Sequence, residues 1–507
     1  MDTIGRLSDR PQLDRLLLRR RLSDRPQLDH LLLRIGFGAT PAERAIYEGM
    51  SYGEAVSALL DFHPTDPAND VDARIGTPGF LGITARNGFM PNTVINDSRQ
   101  RWVFRMVHSP APLQERMALL WHHHFATAYS KLAGAVGGTE GARLMAAKPS
   151  EDTAQVRGQI ELFRQLGLGK FSHLLVEVAK DPAMIYWLDG NTNVKAKPQE
   201  NFGRELMELF TFGVSNYTEE DVYAAARVFT GWNIALRGTS NTPTAYYAFN
   251  YNAAQHDVAA KSFSFPIYAN GSKTIPARAA ASGMQDGLDL IAALAMHPET
   301  ARRMAGRLWN WFVSDIEAPA PAFVNAIAAV YLSSDTDMRE VIRAVVRSSQ
   351  FRDPRHRYKR HSWPVEYVVR ALKEMGHLGF SANDTLTPML NMGQQLFEPP
   401  DVDGWAIGPA WFSTGGMLAR MNFASALATN QRFELRNTSR LYNQTPETLV
   451  DYAVSRLSLP AVPAEVYNPL VDYVRAGGTW TGSETQLLNK AGGVFHLLTG
   501  SGEYQFV

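Results

Sequence analysis

Apolar residues along this chain recur mostly at helical spacing. The clearest case is KPQENFGRELMELFTFG, from Lys197 to Gly213, where Phe202, Leu206, Leu209 and Phe210 fall at i, i+4, i+7 and i+8. Pro198 stands where a first-turn proline belongs and Gly213 where a helix-ending glycine belongs. The pattern predicts a helix over 199–212. A second, polar stripe carries Asn201, Glu205 and Glu208, four and three residues apart and therefore on one side of that helix. Two carboxylates and an amide beside a buried face need a partner: an arginine, a metal or a substrate.

The same periodicity, with its punctuation, predicts helices through most of the chain. Thr40-Pro41-Ala42-Glu43 and Ser51 to Glu54 are capping boxes. Residues 62–97, rich in Pro, Asp, Asn and Gly, read as a long surface excursion, and the Gly/Ala-rich stretch 131–150 as a mobile one. Further helices are expected over 153–166, 171–180, 182–188 and 219–230, with Asp181 and Thr218 as start signals. Between 232 and 275 the composition turns aromatic and strand-like, TAYYAFNYN, which predicts a small hairpin. After Gly283 the helical pattern returns, broken by a Pro/Gly/Trp-rich loop over 389–416. The expected fold is mainly α: a large multi-helix, bundle-like domain with a small β-hairpin insertion near 232–275.

Residues 6–19 recur at 21–34 with one change, Arg15 to His30, so 1–25 reads as a duplicated, charged N-terminal extension. The core is expected over 26–430, with 431–507 as C-terminal helices packed on it. Basic and acidic residues balance at 50 each, which gives no electrostatic case for nucleic acid. No window is long and apolar enough for a membrane span. No apolar leader is visible at the N-terminus, so the chain as written reads as soluble and cytoplasmic. Cysteine is absent, which removes thiolate metal sites and thiol nucleophiles. H-E-x-x-H, P-loop, EF-hand and G-x-S-x-G signatures are absent too, and Gly167-Leu168-Gly169 follows a helix rather than a strand.

Four stretches carry candidate chemistry. In Trp121-His122-His123-His124-Phe125, successive helical residues point about 100° apart, so three histidines cannot face one ion. His124 lies on the face of Met117, Leu120 and Trp121, and His122 joins it only where the helix loosens. In the 199–212 helix, Arg204 lies four residues before Glu208 and can occupy it, whereas Glu205 has no arginine at i±3 or i±4. His256-Asp257, with Lys261 four residues after Asp257, sits after the predicted hairpin. The loop 399–411 holds Asp401, Asp403, Trp405 and Trp411, which can line a pocket.

Taken in order, HLLLRIGFGATPAE, PLQERMALLWHHHFAT, KDPAMIYWLDG, ENFGRELMELFTFGVSNYTEEDVYAAARVFTGW, HDVAAKS and LFEPPDVDGW resemble the bacterial family known as domain of unknown function 1800, over about residues 28–430. The resemblance implies a mainly helical protein, often encoded beside a sulfatase-like protein, which is the expected partner. It brings no established activity. Some relatives look exported, which makes the periplasm the alternative compartment. The family pattern W-H-x-H-F makes His123 the variable position and leaves His122 and His124 as the pair of interest.

The reading that unites these stretches is a metal-dependent hydrolytic enzyme. His122, His124, Glu205 and His256 would be ligands of a divalent ion (Zn, Mn or Fe), with water activation as the chemistry. Glu205, Glu208 and Asp257 are the expected catalytic groups, and Asn201, Lys261, Asp403, Trp405 and Trp411 the expected substrate contacts. Two alternatives stand beside it. One is a non-catalytic assembly partner of the sulfatase-like neighbour. The other is a metal-free glycosidase in which Glu205 and Asp403 form an acid–base pair.

Overall fold

The computed structural model describes residues 25–240 and 242–507, so the repeated N-terminal extension lies outside the described residues but for Arg25. The chain enters in a helix over 25–35. The described residues are mainly helical, with two small antiparallel sheets of two strands each. One hydrophobic core runs from Leu31 through Leu498 to Tyr504, so the C-terminal helices share it with the rest.

The helix starts follow the expected chemistry. Thr40 and Ser51 close capping boxes with Glu43 and Glu54, Thr218 closes one with Asp221, and Asp181 caps the helix Pro182–Trp187 through the Met184 amide. The expected hairpin forms from Trp232–Arg237 and Tyr246–Tyr251, in register Trp232↔Tyr251 to Arg237↔Tyr246. A shorter pair, Lys261–Ser262 with Thr274–Ile275, follows it. The excursion 62–97 holds two short 3-10 turns before the helix Ile95–His108 begins, and Asp72 ties it down through two bonds from the Arg105 guanidinium. Arg105 also meets Glu161 at 2.6 Å, and the arginines around Glu161 hold its carboxyl down to about 2 despite burial.

Three expectations change. Residues 131–150 are not a loose segment: helices Tyr129–Val136 and Gly138–Ala146 pack as a hairpin around Gly137, whose φ is +87°. There Gly141 lets the second helix approach the Ala133 backbone, where a Cβ would lie 3.1 Å from its nitrogen. The helix expected over 153–166 is shorter, Gln159–Leu166. Gly167 then passes so close to Trp121 that a Cβ would lie 2.7 Å from the indole, and its carbonyl accepts the Trp121 Nε1–H at 2.9 Å.

The third change bears on function. The 199–212 helix is α only over Asn201–Glu205 and becomes a π turn over Leu206–Phe210. A π turn is uncommon and less favourable than α, so its presence needs a local cause. Before it, Gly203 presses on the helix Glu219–Val228: a Cβ there would meet Ala225 Cβ at 2.9 Å and the Ala226 nitrogen at 3.2 Å. The short helix is thus set by a backbone contact at its start and by its carbonyl partners at its end. Gly203→Ala is expected to push the two helices apart and cost about 1–3 kcal/mol in urea unfolding, whereas the same exchange at the open, helical Gly134 is expected to stabilise by about 0.5–1 kcal/mol.

Candidate functional site

A widened turn leaves carbonyls without the usual helical donors. At the end of this one, several find partners, some from a distant helix and some just beyond the turn. Arg303 donates to the Leu209 carbonyl at 2.6 Å and to Thr211 at 3.1 Å, and Arg307 reaches Leu209 at 3.3 Å. His124 Nε2–H donates to the Phe210 carbonyl at 3.1 Å. The Thr211 hydroxyl closes on Leu206 at 2.6 Å, and the Gly213 amide, at φ +87°, on Met207 at 2.9 Å. Arg303 and Arg307 stand four apart on the helix Pro298–Phe312, so both address the turn from one face.

On the outer side of this turn stand the carboxylates. Glu205 is half-buried and makes no hydrogen bond or ion pair among the described residues. Burial, reinforced by the negative charges of Glu208 and Asp403, pushes its carboxyl up to about 7 against an opposing pull from Arg204. Arg204 does not serve Glu208 as expected. It grips Glu219 with two bonds at 2.9 and 2.8 Å and touches Glu200 at 3.4 Å. Glu208 instead accepts the Tyr217 hydroxyl. Asp403 is exposed, on a loop turned by Asp401, whose Oδ1 accepts the Asp403 amide at 3.0 Å.

The loop is fixed by His123. Its Nδ1 accepts the Trp405 amide at 3.1 Å, and Gly404, at φ +85°, passes so close to the imidazole that no side chain fits. A backbone amide can only donate, so His123 Nδ1 is unprotonated and Nε2 carries the hydrogen. Burial, with Arg307 nearby, lowers this imidazole to about 3, so it is neutral. His123, set aside by the resemblance as the variable position, thus links the histidine run to the loop that carries Asp403.

The expected metal donors do not gather. Among the described residues no group of three or more His, Asp or Glu side chains is disposed to hold a metal ion. His122 is enclosed by Trp102, Phe397 and Trp405 at ring distances of 5.2–5.7 Å, and neither nitrogen is hydrogen-bonded. His124 holds the Phe210 carbonyl. His256 is buried against Thr230, whose carbonyl lies 2.9 Å from Nδ1, and against Asp286 at 3.3 Å from Nε2. Lys261 is wholly buried beside it, 2.6 Å from Asp286 and bonded to the Asp257 carbonyl, so it ties the hairpin segment to the helix Met284–Ala295. Asp257 faces the other way, to Arg227 at 2.7 and 3.2 Å, which holds its carboxyl down.

The remaining substrate contacts also separate. Asn201 points to Asp189 at 3.1 Å. Trp405 and Trp411, each 4% exposed, pack against Trp363 and present no open face for a sugar ring. Of the sequence candidates, then, Glu205, Glu208 and Asp403 are the ones linked, since Glu205 feels the charge of the other two. Arg303 and Arg307 complete the group; burial lowers both, Arg307 to about 9.

The Glu205 carboxyl offers a direct check. Its folded value of about 7 lies above the ordinary 4.5, so the folded state favours the protonated form, and ionising it costs stability as pH rises between the two. Glu205→Gln is therefore expected to raise the melting temperature at about pH 8 and to leave it nearly unchanged at about pH 4. Carboxyl 13C NMR should show one glutamate resonance titrating near 7 that disappears in the variant.

A family model described as "Protein of unknown function (DUF1800)" matches residues 30–506, which extends past the resemblance read from the motifs into the C-terminal helices. No curated protein and no solved structure matches the chain. No helix among the described residues is long and apolar enough to cross a membrane.

Proposed function

The chain belongs to the DUF1800 family, and from its geometry we propose that it is an enzyme that cleaves a glycosidic bond by carboxylate acid–base chemistry. The observation that carries this reading is Glu205: a half-buried carboxyl without a partner, raised to about 7 beside two further carboxylates. A carboxyl held partly protonated at neutral pH is suited to give a proton to a leaving oxygen. A second carboxylate, left charged, takes one from the attacking water.

The roles follow from the surroundings. Glu205 is the general acid. Asp403, exposed on the loop that His123 fixes, is the base that receives the proton of water as the oxygen adds to the sugar carbon. The proton from Glu205 goes to the departing alcohol, so the two carboxyls exchange protonation states in one turnover. Glu208 is already engaged by Tyr217 and acts through its charge, which helps to keep Glu205 protonated. Arg303 and Arg307 bring positive charge to the same rim from the far side of the π turn.

The metal reading has less support, because among the described residues the four histidine and glutamate donors do not gather: His124 and His256 have other partners, and His122 is closed in by aromatic rings. Assays on a panel of aryl glycosides test the proposal. Hydrolysis is expected to fall away above a pH limb near 7, and Glu205→Gln to lower kcat by about 10²–10⁴-fold. Turnover that survives this substitution unchanged, or a profile flat through neutrality, would overturn it.

A further inference from the structure

Behind His123 the chain encloses a cavity of about 30 Å³, lined by Leu120, His123, Arg307, Asn310, Arg360 and the indoles of Trp311 and Trp363, with Ile407 at its lip. A single water occupies about 10–15 Å³ on this measure, so the space takes a group of a few atoms and not a sugar ring. Its donors point one way chemically. His123 carries its hydrogen on Nε2, because Nδ1 is taken by the Trp405 amide. Arg307 spends one contact, at 3.3 Å, on the Leu209 carbonyl. Arg360 is 1% exposed; its Nη1 meets Glu366 at 2.7 Å and its Nε the Asn310 carbonyl at 3.2 Å, but its Nη2 has no partner.

The charge behind the cavity is also unbalanced. Arg34, Arg116 and Arg360 are all buried and interact with one another, and the acids that offset them are Glu366 and Asp315. Asp315 is shared with His361 at 2.9 Å. Arg34 leaves Nε and Nη1 unpartnered, and Arg116 leaves Nε. Buried cations without full pairing are costly, and an anion arriving from the cavity side offsets that cost.

We propose that this cavity is a carboxylate subsite: it receives the carboxylate of an acidic ligand between Arg307, Arg360 Nη2 and His123 Nε2–H. The inference rests on the reading of the Glu205 rim as a sugar-cleaving site, and it narrows the substrate class to glycosides that bear a carboxylate, such as uronic acids. Arg307 joins the two regions, since the same guanidinium lines the cavity, holds the π turn and feels the Asp403 charge. A planar two-oxygen group suits guanidinium forks, and a volume of this size favours it over a tetrahedral phosphate.

Binding can be read without turnover. Trp311 and Trp363 wall the cavity, so intrinsic fluorescence is titrated with sodium acetate, sodium glucuronate, glucose, inorganic phosphate and, for ionic strength, sodium chloride. Saturable responses are expected with acetate and glucuronate, glucuronate the tighter, and none with glucose. Arg307→Met should weaken both by about tenfold or more. Should that variant fold poorly, Ile407→Phe, a change at an exposed lip residue, is expected to block glucuronate with an unchanged melting temperature. A carboxylate response no larger than that of chloride, tighter binding of phosphate than of acetate, or glucuronate binding unaltered in both variants would overturn the subsite. Acetate that binds equally well to Glu205→Gln separates the two readings: the subsite then stands or falls by fluorescence, and the acid–base site by the Glu205 titration and turnover.

Discussion

The site depends on how one turn of helix ends. Over Leu206–Phe210 the backbone widens to π geometry, and the carbonyls that this leaves over are taken by Arg303, Arg307 and His124. A neutral hydrogen bond contributes about 1 kcal/mol net and one from a charged donor about 1.5–3, but leaving such a carbonyl buried and unpaired costs comparably. The arrangement is therefore mutual. The arginines stabilise an otherwise unfavourable turn, and the turn holds two guanidiniums beside three carboxylates without joining any of them in a salt bridge. Direct pairing would lower the Glu205 carboxyl and remove its capacity to hold a proton near neutrality.

That constraint explains features that look unrelated along the chain. His124 has a structural duty to the Phe210 carbonyl, and His123 has one to the Trp405 amide. The end of the helix Pro112–His124 thus fixes both the π turn and the loop with Asp403, from adjacent residues. Successive residues on a helix point in different directions, which counts against one shared ion but suits two separate anchors. Their low basicity agrees with this. Burial lowers His123 to about 3 and His124 well below its ordinary value, so both remain neutral donors and acceptors through the physiological range.

How much of this is legible in the sequence differs from residue to residue. The capping boxes, the hairpin and the mainly helical class follow from local chemistry, because each cap closes on a residue three positions away. Glu205 stands out for a local reason as well: it lacks an arginine one helical turn away. Glu208 misleads for the opposite reason. Its neighbour Arg204 has a stronger, two-pronged partner in Glu219, which no spacing within the helix reveals. The π turn is invisible because Leu, Met and Glu are ordinary α-formers, and the distortion is imposed by partners as far as 98 residues away. Arg303 and Arg307 sit in a helix whose pattern reads as core, so nothing in their own segment marks them.

The tryptophans of the 399–411 loop show the same limit from the other side. Their composition suggests a sugar platform, yet Trp405 and Trp411 are spent on packing against Trp363. The consequence is chemical. A site walled by closed aromatic packing and furnished with guanidinium, imidazole and carboxamide donors reads charge and hydrogen-bonding shape more than it reads the apolar face of a ring. On the proposed reading, with Glu205 protonated on one side of Arg307 and unpaired cationic donors on the other, one set of groups draws an acidic substrate and another cleaves it. Arg307 is the residue common to both, since it lines the cavity and holds the Leu209 carbonyl.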